Sequence, residues 1–598
     1  MDTIAVLDFG GQYAHLIANR IRRLSVYSEI FDSEVSADRL RHARGIILSG
    51  GPSGVYEKEA PKYDAGIFGL GVPVLGICYG HQLIAKHFGG TVVLGNNKEY
   101  GVTRLKILSR QGLFKGLGAE ETVWMSHGDE VTSLPKDFQA IASSGQGSNA
   151  AIANRAGKIF GIQFHAEVTH TEHGMKILDN FLDICGCSRD WKIGDVAAEL
   201  TGMIKDKVAG RKVFLLVSGG VDSTVAFALL NKALGKSQVY GLHIDTGLMR
   251  KNESSEIHQA LVRLGFDNLK VVNAGSIFLE RLADVVDPEL KRHIIGQTFI
   301  DVLNETIGKF RIDSDNWMIA QGTIYPDTIE TGRTRHSAVI KTHHNRVPVI
   351  DELIGQGKLI EPLEQFYKDE VRALGERLGL PHELVWRHPF PGPGLAVRII
   401  CEETASLPEN LTDIKSELSG MLPERMTAEI LPVQSVGVQG DSRTYRNPVA
   451  LSGPLDWKKL EEVSSAITNK IREINRVVYT LSPERIKSVE FLGGTLTGQR
   501  ISLLQELDSI ANEVIRKHGL YEKIWMMPVV LVPVSVDGSS RESVVLRPVY
   551  SREAMTARFV DLPEKVCREL AAALTKPGYV SGVFIDVTHK PPATIEWE

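Results

Sequence analysis

Three residues in the first third of the chain are suited to nucleophilic catalysis. Cys78 stands in Gly76-Ile77-Cys78-Tyr79-Gly80, where small residues on both sides permit the tight turn that exposes a nucleophile above a sheet. A helix starting there would stabilise a thiolate. His165 and Glu167 alternate along extended chain, so both can face one side. Thiol, imidazole and orienting carboxylate would form a hydrolytic triad; the alternative is a buried structural cysteine.

A second group of residues is suited to holding phosphate. The apolar run Val213–Val217 predicts a buried strand, Ser218-Gly219-Gly220 breaks it, and an apolar helical pattern follows from Val225. A strand, a glycine turn and a helix start bring backbone N–H groups to one point, which binds anions. The alternative is an ordinary turn in which Asp222 and Ser223 cap the helix. Because the Lys of the Walker A pattern is missing, this is not an ordinary P-loop.

Both groups follow apolar runs, which must be the strands that position them. In residues 1–190, three such runs end in glycine turns and lead into helical spacing; they are Ile4–Asp8, Gly45–Leu48 and Val72–Ile77. Repeated strand–turn–helix units predict a parallel sheet covered on both faces. Ligands bind at the carboxyl ends of such strands, which is where Cys78 falls.

The remaining chain divides into two further predicted domains. Residues 191–388 alternate strands with helices, and the Pro- and Gly-rich stretch after His388 marks a boundary. For residues 389–598 we expect an antiparallel sheet with helices on one face. The predicted fold class is α/β, with two doubly wound, mostly parallel-sheet domains followed by an α+β C-terminal domain. The tail Lys590–Glu598 would ordinarily be flexible, but two prolines and a Trp make it stiffer and less polar than most tails.

Composition limits the class of protein. The 598 residues exceed what one core can serve, and 43% hydrophobic with 24% charged residues is ordinary for globular protein. A net charge of −5 gives no reason to expect a nucleic-acid or membrane partner. Five cysteines argue against a disulfide framework, and Cys185-Gly-Cys187 is too isolated for a zinc pattern. Without an apparent signal peptide or membrane span, we predict a cytoplasmic protein.

The first domain resembles the class I glutamine amidotransferases, in which a Cys-His-Glu triad hydrolyses the glutamine side chain. The resemblance rests on the segments around Cys78 and His165, although Ala166 stands where that family usually has Pro. It implies that Cys78, His165 and Glu167 are catalytic. It also implies an oxyanion hole and a glutamine pocket, formed by the backbone of Gly51 and Tyr79 and by Gln82 and His127.

The Ser218 loop resembles the SGGxDS loop of the ATP pyrophosphatases, which hold pyrophosphate and release AMP. The resemblance implies an ATP site made of Ser218, Gly219, Gly220, Val221, Asp222, Ser223 and Thr224. Asp222 would be a ligand of Mg2+, since that cation favours carboxylate oxygen.

Three further segments of the second domain resemble the GMP synthetase family; they are 241–250, 319–327 and 340–345. The resemblance implies a lid over ATP and the nucleotide, formed by Asp327, Glu330 and Lys341. It also implies that XMP is bound by Asp441 and by tail residues Lys590, Ile595 and Glu596. Two departures stand out, because Gly582 replaces an Arg eight positions before the tail Lys, and Met526 replaces a Gln. The sequence leaves open whether the protein is a monomer or a homodimer.

The implied reaction converts XMP, ATP, glutamine and water into GMP, AMP, pyrophosphate and glutamate through an adenyl-XMP intermediate, as the last step of de novo GMP biosynthesis. A tRNA-thiolating relative would need cysteines beside the loop, yet none lies between Cys187 and Cys401. An NAD synthetase would not carry this triad domain. A catalytically idle ligand sensor is the alternative from another class, and the intact Cys78, His165 and Glu167 speak against it.

Overall fold

The computed structural model describes residues 2–11, 13–145, 147–310, 312, 315–330, 348–439, 442–551 and 557–598. These residues form two compact units. The first unit comprises the chain up to Ala198 together with two later segments that contain Ile324–Glu330 and Glu364–Tyr367. The second comprises the rest of the described chain. The three domain boundaries drawn from the sequence stay predictions.

The first unit is built on a nine-stranded sheet in the order β2-β1-β3-β4-β9-β8-β7-β5-β6. The strands are β1 (Thr3–Asp8), β2 (Tyr27–Asp32), β3 (Gly45–Leu48), β4 (Val74–Ile77), β5 (Thr91–Ile107), β6 (Glu120–Ser133), β7 (Phe138–Ser144), β8 (Ala151–Asn154) and β9 (Ile159–Ile162), and the helices are α1 (Ala14–Arg23), α2 (Tyr79–His87) and α3 (Gly174–Ile184). Pairs from β2 to β9 are parallel, and those from β9 to β6 are antiparallel. The parallel sheet predicted from the sequence is therefore found only between β2 and β9.

Burial explains why the two groups of strands differ. Strands β3 and β4 are buried at every position, as expected of parallel strands covered on both faces. Helix α1 packs into one apolar cluster with Ile17 and Ile21, and α2 into another with Leu83 and Ile84. In contrast, β6 alternates buried and partly buried residues over much of its length, which is typical of an antiparallel strand with one more open face.

The second unit contains a five-stranded, all-parallel sheet in the order β12-β11-β10-β13-β14. Its strands are β10 (Lys212–Leu216), β11 (Val239–Asp245), β12 (Leu269–Asn273), β13 (Trp317–Ala320) and β14 (Leu359–Ile360). The helices in this stretch of chain are α4 (Ile193–Val208), α5 (Val221–Leu234), α6 (Glu253–Arg263), α7 (Gly275–Arg281), α8 (Pro288–Phe310), α9 (Tyr325–Glu330, in the first unit), α10 (Pro348–Gly355), α11 (Lys368–Arg377) and α12 (His382–Val385). The predicted α/β class with mostly parallel sheets is confirmed.

A second, mixed sheet of the same unit runs in the order β15-β17-β18-β25-β22-β20, with β16 paired to β17. The strands of this region are β15 (Thr427–Ile430), β16 (Ser435–Gln439), β17 (Ser442–Ser452), β18 (Ile474–Ser482), β19 (Glu490–Phe491), β20 (Val529–Val532), β21 (Val534–Ser535), β22 (Ser543–Leu546), β23 (Val549–Tyr550), β24 (Arg558–Phe559) and β25 (Gly582–Asp586). Its helices are α13 (Leu411–Met421), α14 (Trp457–Lys470), α15 (Gly498–Lys517) and α16 (Glu564–Thr575).

The order of parallel and antiparallel strand pairs in this mixed sheet is the same when it is followed from either edge. The central pair β18–β25 is antiparallel, its neighbours β17–β18 and β22–β25 are parallel, and the outer pairs β15–β17 and β20–β22 are antiparallel. Two strand–strand–helix–strand units, β15-β17-α14-β18 and β20-β22-α16-β25, are therefore related by an approximate two-fold axis. The expected antiparallel sheet is found in most of these pairs but not in β17–β18 and β22–β25, because the helical crossovers through α14 and α16 bring strands back in parallel.

A membrane-spanning element is not found in the described ranges, where every helix is too short or too polar to cross a bilayer.

Candidate functional site

Cys78 occupies a sharp turn between β4 and α2. Its backbone has φ 53° and ψ −103°, a conformation that residues with a side chain rarely adopt. A Cβ on Gly76 would lie 2.3 Å from the carbonyl carbon of Gly80, and a Cβ on Gly80 would lie 2.4 Å from the carbonyl oxygen of Leu48. Only glycine fits at both flanking positions, so the Gly-x-Cys-x-Gly spacing has a direct steric cause.

The structure brings Cys78, His165 and Glu167 together. His165 Nδ1 lies 2.6 Å from Glu167 Oε1, and both side chains are buried. A Cβ on Gly50 would lie 3.4 Å from His165 Cε1 and 3.7 Å from Cys78 Cβ, so both groups stand over the same stretch of backbone. Arg20 Nε donates to the backbone oxygen of Glu167 at 3.0 Å, which holds the carboxylate's chain in place.

The environment of His165 favours its protonated form. Burial alone lowers the pKa of His165, but the charge of Glu167 and the hydrogen bond with Cys78 outweigh it and raise that pKa to about 10. At neutral pH the imidazole is therefore protonated, with its Nδ1 beside Glu167. A positively charged imidazole stabilises a neighbouring thiolate and can protonate a leaving amine.

Gln82, one of the predicted glutamine-pocket residues, belongs to a chain of side-chain contacts that reaches Cys78. Gln82 Nε2 donates to the backbone oxygen of Asp129 at 2.9 Å and lies 3.4 Å from Gln163 Oε1, while Gln163 Nε2 lies 3.8 Å from Cys78 Sγ. Gln82 is therefore linked to the nucleophile through Gln163, a residue that sequence reasoning missed although it lies just before His165 in the chain.

Both ring nitrogens of His127 have hydrogen-bond partners within the protein. Nδ1 lies 3.0 Å from the backbone oxygen of Asp129, and Nε2 lies 3.2 Å from Glu99 Oε2. The backbone near Gly51 approaches that of Phe9, since a Cβ on Gly51 would lie 2.8 Å from the Phe9 oxygen and 3.4 Å from Tyr79 Cγ. Gly51 and Tyr79, the two predicted oxyanion donors, are thus neighbours.

The Ser218 loop joins β10 to α5 as predicted from its apolar flanks. Gly219 has φ +87°, and Gly220 is the N-cap of α5. Ser218 Oγ lies 3.1 Å from Ser223 Oγ, and the hydroxyl groups of Ser223 and Thr224 donate to the Gly220 oxygen at 3.1 and 2.8 Å. These bonds hold the loop while its backbone N–H groups stand at a helix N-terminus, which suits an anion.

A cavity of about 620 Å³ opens beside this loop, within the usual range for a small-molecule site. Its wall includes Ser218–Asp222 of the loop, Lys368 at the start of α11, and the Pro389–Pro393 stretch. Lys368 Nζ donates to Asp222 Oδ2 at 2.6 Å. Sequence reasoning missed Lys368, because nothing in its local pattern signals that α11 returns to the loop.

Asp222 suits the predicted magnesium ion as a ligand. Its Oδ2 accepts from Lys368, whereas Oδ1 is buried with no hydrogen-bond partner. Sites that bind Mg2+ with a nucleotide commonly use one or two carboxylates together with phosphate oxygens and water. Within the described ranges no cluster of three or more His, Cys, Asp or Glu side chains suits a metal. The donor set therefore fits an ion that arrives with a substrate's phosphates.

The predicted lid is only partly within the described residues. Asp327 lies in α9, where its Oδ2 accepts from the backbone N–H of Ile324 at 3.2 Å. Glu330 is the last residue of α9, and its side chain lies outside the described residues, as does all of Lys341. The role of these residues stays a prediction.

The C-terminal tail is buried, contrary to the usual behaviour of a terminus. Trp597 is fully buried, and its Nε1 donates to Asp586 Oδ2 at 3.0 Å. Glu596 accepts from Arg398 through both carboxylate oxygens at 2.8 and 3.0 Å. Glu598 lies 2.7 Å from the Nζ of the fully buried Lys291. Three successive residues thus anchor the tail. Its apolar and stiff composition was therefore a better guide to its burial than its position in the chain.

Positive charge exceeds negative charge beside the tail. Asp586 pairs with both Arg476 and Arg547 at 2.7 and 2.6 Å, all fully buried. Burial lowers the pKa of Arg476 to about 10, and burial with the charge of Arg547 lowers the pKa of Lys590. Two nitrogens of Arg547, Nε and Nη2, are buried with no hydrogen-bond partner. An anionic ligand would relieve this imbalance.

Of the other predicted XMP residues, Ile595 packs beside Met526 in a small apolar cluster. Asp441 lies outside the described residues.

Arg476 in β18 stands at the position that corresponds to Gly582 in β25. Tyr479 pairs with Ile585 at the centre of β18–β25, and Arg476 and Gly582 stand at equal distances before them. Arg476 Nη2 donates to Thr594 Oγ1 and to the Glu596 oxygen, both at 3.1 Å. The first repeat therefore delivers an arginine to the tail.

At Gly582 itself there is no room for such a side chain. A Cβ there would lie 2.5 Å from Val536 Cγ2 and 2.9 Å from Ser543 Oγ. The departure noted in the sequence is thus confined to one of two related positions, and the other position supplies the cation.

Residues 5–185 match the family model of class-I glutamine amidotransferases, 193–283 that of NAD synthase, and 422–491 and 513–597 that of the GMP synthase C-terminal domain.

Among curated relatives, the probable glutamine-hydrolysing GMP synthase of Leptospira interrogans is 47% identical, covering 100% of this chain and 99% of the relative. That of Caenorhabditis elegans is 38% identical over 100% and 92%. The GMP synthase of Clostridium novyi is 43% identical over 82% and 99%.

Proposed function

The chain belongs to the family of glutamine-hydrolysing GMP synthases, and we propose how its residues divide that reaction. The enzyme makes GMP in a glutamine-dependent reaction, as a ligase with glutamine as the nitrogen donor. The observation that carries the assignment of residues is the joint presence of the Cys78–His165–Glu167 constellation and the Ser218 loop with its cavity. One chain thus has a source of ammonia and a site for activating its acceptor.

The first unit hydrolyses glutamine. The Cys78 thiolate attacks the side-chain amide carbon, and the developing oxyanion accepts hydrogen bonds from the backbone N–H groups of Gly51 and Tyr79. His165 gives its proton to the departing ammonia, leaving a thioester. Water, activated by His165, then releases glutamate and restores the thiol. Glu167 holds the imidazole in position throughout, while Gln82 and His127 line the glutamine pocket.

We expect Glu167→Gln to narrow the pH range of the glutaminase. His165 is protonated below its pKa of about 10, and that raised value depends on the charge of Glu167. The wild-type rate should therefore fall on the alkaline side only as pH rises toward 10. Without the carboxylate charge, burial dominates, so the alkaline limb should move down by more than one pH unit. The measurement is kcat/KM for glutamine hydrolysis against pH; an alkaline limb that stays in place contradicts this role for Glu167.

The second unit activates XMP. The Ser218–Thr224 loop binds the phosphates of ATP, the C2 oxygen of xanthine attacks the α-phosphorus, and pyrophosphate leaves. Ammonia then displaces AMP at C2. Mg2+ would be held by Asp222 and would neutralise phosphate charge. Asp327, Glu330 and Lys341 cover the nucleotides in this scheme.

The tail region binds XMP in this proposal. Lys590 binds the phosphate, Ile595 and Glu596 contact the sugar or base, and Asp441 joins them in this scheme. The excess of positive charge supplied by Arg476 and Arg547 favours a nucleotide monophosphate. A cytoplasmic location remains an expectation from the few, unpaired cysteines.

We further propose that one chain completes its own XMP site. Because the approximate two-fold axis lies inside the chain, the first repeat gives Arg476 to a tail carried by the second repeat. A relative lacking one repeat would need a second subunit to do the same. Of the two oligomeric states left open, this favours an active monomer.

Mixing two inactive variants tests completion within one chain. Arg476→Lys and Lys590→Ala each impair the tail site, and we expect their mixture to show no more activity than their average. If instead the site were shared between chains, exchange of subunits would restore about a quarter of the sites in an equimolar mixture. Sedimentation of each variant, with and without XMP, provides the control for association.

The overall assignment is tested by reconstitution. Purified protein with XMP, ATP and Mg2+ should form GMP and pyrophosphate when given either glutamine or ammonium. No GMP with ammonium would overturn the assignment of the second unit, whereas GMP with ammonium but not with glutamine would overturn that of the first.

A further inference from the structure

A buried arginine lines the cavity beside the Ser218 loop with one of its donors unused. Arg387 is 9% exposed, and its Nη1 donates to Glu253 Oε1 at 2.8 Å. Its Nη2 is buried and has no hydrogen-bond partner among the residues that the structure describes. Native proteins leave few buried donors unsatisfied, because each one loses its bonds to water without replacement. A charged donor left in this state points to a ligand.

Arg387 shares the cavity wall with Ser218–Asp222 of the loop. The negative charge of Asp222 acts on Arg387 and supports its protonated form. Arg387 therefore faces the same space as the backbone N–H groups of the loop.

Charge balance in the described wall of this cavity also calls for an anion. Lys368 pairs with Asp222 and Arg387 pairs with Glu253, whereas Arg372 adds a further positive charge and its Nε is buried with no partner. Burial lowers the pKa of both Arg372 and Arg387. Guanidinium groups are destabilised in this way when they leave water with too little countercharge. A polyphosphate would supply the missing negative charge.

The backbone that carries Arg387 is held firmly. Arg250 donates from its two terminal nitrogens to the His388 and Pro389 oxygens at 3.3 and 3.4 Å. The ring of His388 stacks on Tyr521 with centroids 3.8 Å apart, and its Nε2 lies 2.8 Å from the Tyr521 oxygen. Little conformational freedom is left to lose when a ligand binds, which favours affinity.

We propose that Arg387 is a further ligand-binding residue of this enzyme, and that its Nη2 binds the phosphate chain of ATP and then the pyrophosphate product. The inference rests on the proposed role of the Ser218 loop. A guanidinium can serve Glu253 and a phosphate oxygen at the same time, because its donors point in fixed, separate directions. A lysine ammonium has no such fork.

The test is pyrophosphate inhibition of ammonia-dependent GMP formation by the full chain. We expect Arg387→Lys to raise the Ki of magnesium pyrophosphate and the KM of ATP by about 10- to 100-fold, as for a lost hydrogen bond between charged groups. The KM of XMP should change by less than about twofold. Arg263→Gln, an exposed charge on α6 outside this cavity, is the matched control and should leave all three constants unchanged.

Three results would overturn the proposal. One is an unchanged pyrophosphate Ki in Arg387→Lys, which keeps a charge beside Glu253 and so retains the fold. Another is a rise in the KM of XMP alone, which would place Arg387 at the other nucleotide. The third is an equal rise in Glu253→Gln, which would mean that Arg387 acts only by anchoring α6.

Failure of the loop assignment itself would look different. Gly219→Ala places a side chain at a left-handed position within the loop, so it should raise the pyrophosphate Ki if the loop holds pyrophosphate. A normal Ki in that variant counts against the loop, whereas a raised Ki there with a normal Ki in Arg387→Lys counts against Arg387 only.

Discussion

Cys78→Ala is expected to lose glutamine-dependent GMP formation by more than about 10⁴-fold, the usual scale for removing a catalytic nucleophile. The same variant should form GMP from ammonium at the wild-type rate, because the acceptor chemistry belongs to the Ser218 loop and its cavity. The readout is GMP formed from XMP and ATP with either nitrogen source at saturating substrate. The ratio of the two rates isolates the triad from every other step.

Cys187→Ala is the matched control for this result. It removes a thiol of the same unit that is partly exposed and stands outside the turn formed by β4 and α2. Both rates should stay at the wild-type level. A Cys78→Ala enzyme that still uses glutamine would contradict the triad assignment. A variant that loses the ammonium reaction as well would show that the turn at Cys78 is needed for more than hydrolysis.

Asp586→Asn is expected to have the largest effect on stability. Asp586 is the fully buried partner of both Arg476 and Arg547 and also accepts from Trp597. Removing its charge leaves two buried cations uncompensated, and breaking a buried pair in this way costs about 3–5 kcal/mol. The tail loses its central anchor at the same time, so the KM of XMP should rise. Urea unfolding and XMP titration measure the two effects.

The sign of the pH dependence follows from the same charges. Burial opposes ionisation of Asp586, but Arg547 and Arg476 outweigh it and hold the pKa of this carboxyl below its usual value. Its contribution to stability is therefore present above the pKa of the unfolded chain and is lost as pH falls through the lower, folded pKa. Asp586→Asn should flatten the acid side of the stability curve.

An exposed carboxylate of the same region provides the comparison. Asp561→Asn should change the free energy of unfolding by less than about 0.5 kcal/mol, as is usual for surface substitutions. If Asp586→Asn behaved like Asp561→Asn, the buried charge cluster would not be what holds the tail.

Local pattern was sufficient for the turns that carry the chemistry. The turn at Cys78 and the loop at Ser218 were predicted because each needs an apolar strand, small residues and a helix start that are adjacent in the chain. Part of the steric basis is equally local, since a Cβ on Gly76 would meet the backbone of Gly80 across the same turn, whereas Gly80 itself is confined by Leu48 of the neighbouring strand β3. The parallel strands were predicted for the same reason, because runs buried on both faces are visible in the residues themselves.

The pairing of strands that are distant in the chain could not be predicted from the sequence. The antiparallel edge of the first sheet and the two-fold pattern of the mixed sheet depend on which strands meet, and strand order has no local signature. Likewise, the position of Gln163 beside Cys78 follows from β9 lying next to β4. Position in the chain also misled, because the terminus Trp597 is buried against Asp586, which belongs to the strand before it.

The sequence by itself determined the two chemistries, since a nucleophile turn and an anion-binding loop are each built from consecutive residues whose sizes and hydrogen-bonding groups act over one or two turns of chain. Only the tertiary structure decided which distant charges serve them. Lys368 begins a helix, Arg387 lies in the irregular stretch after α12, and Arg476 lies in a strand. Their surroundings depend on burial and countercharge that arise when these parts of the chain pack. A cation acquires its role from the space left around it, and that space exists only in the folded chain.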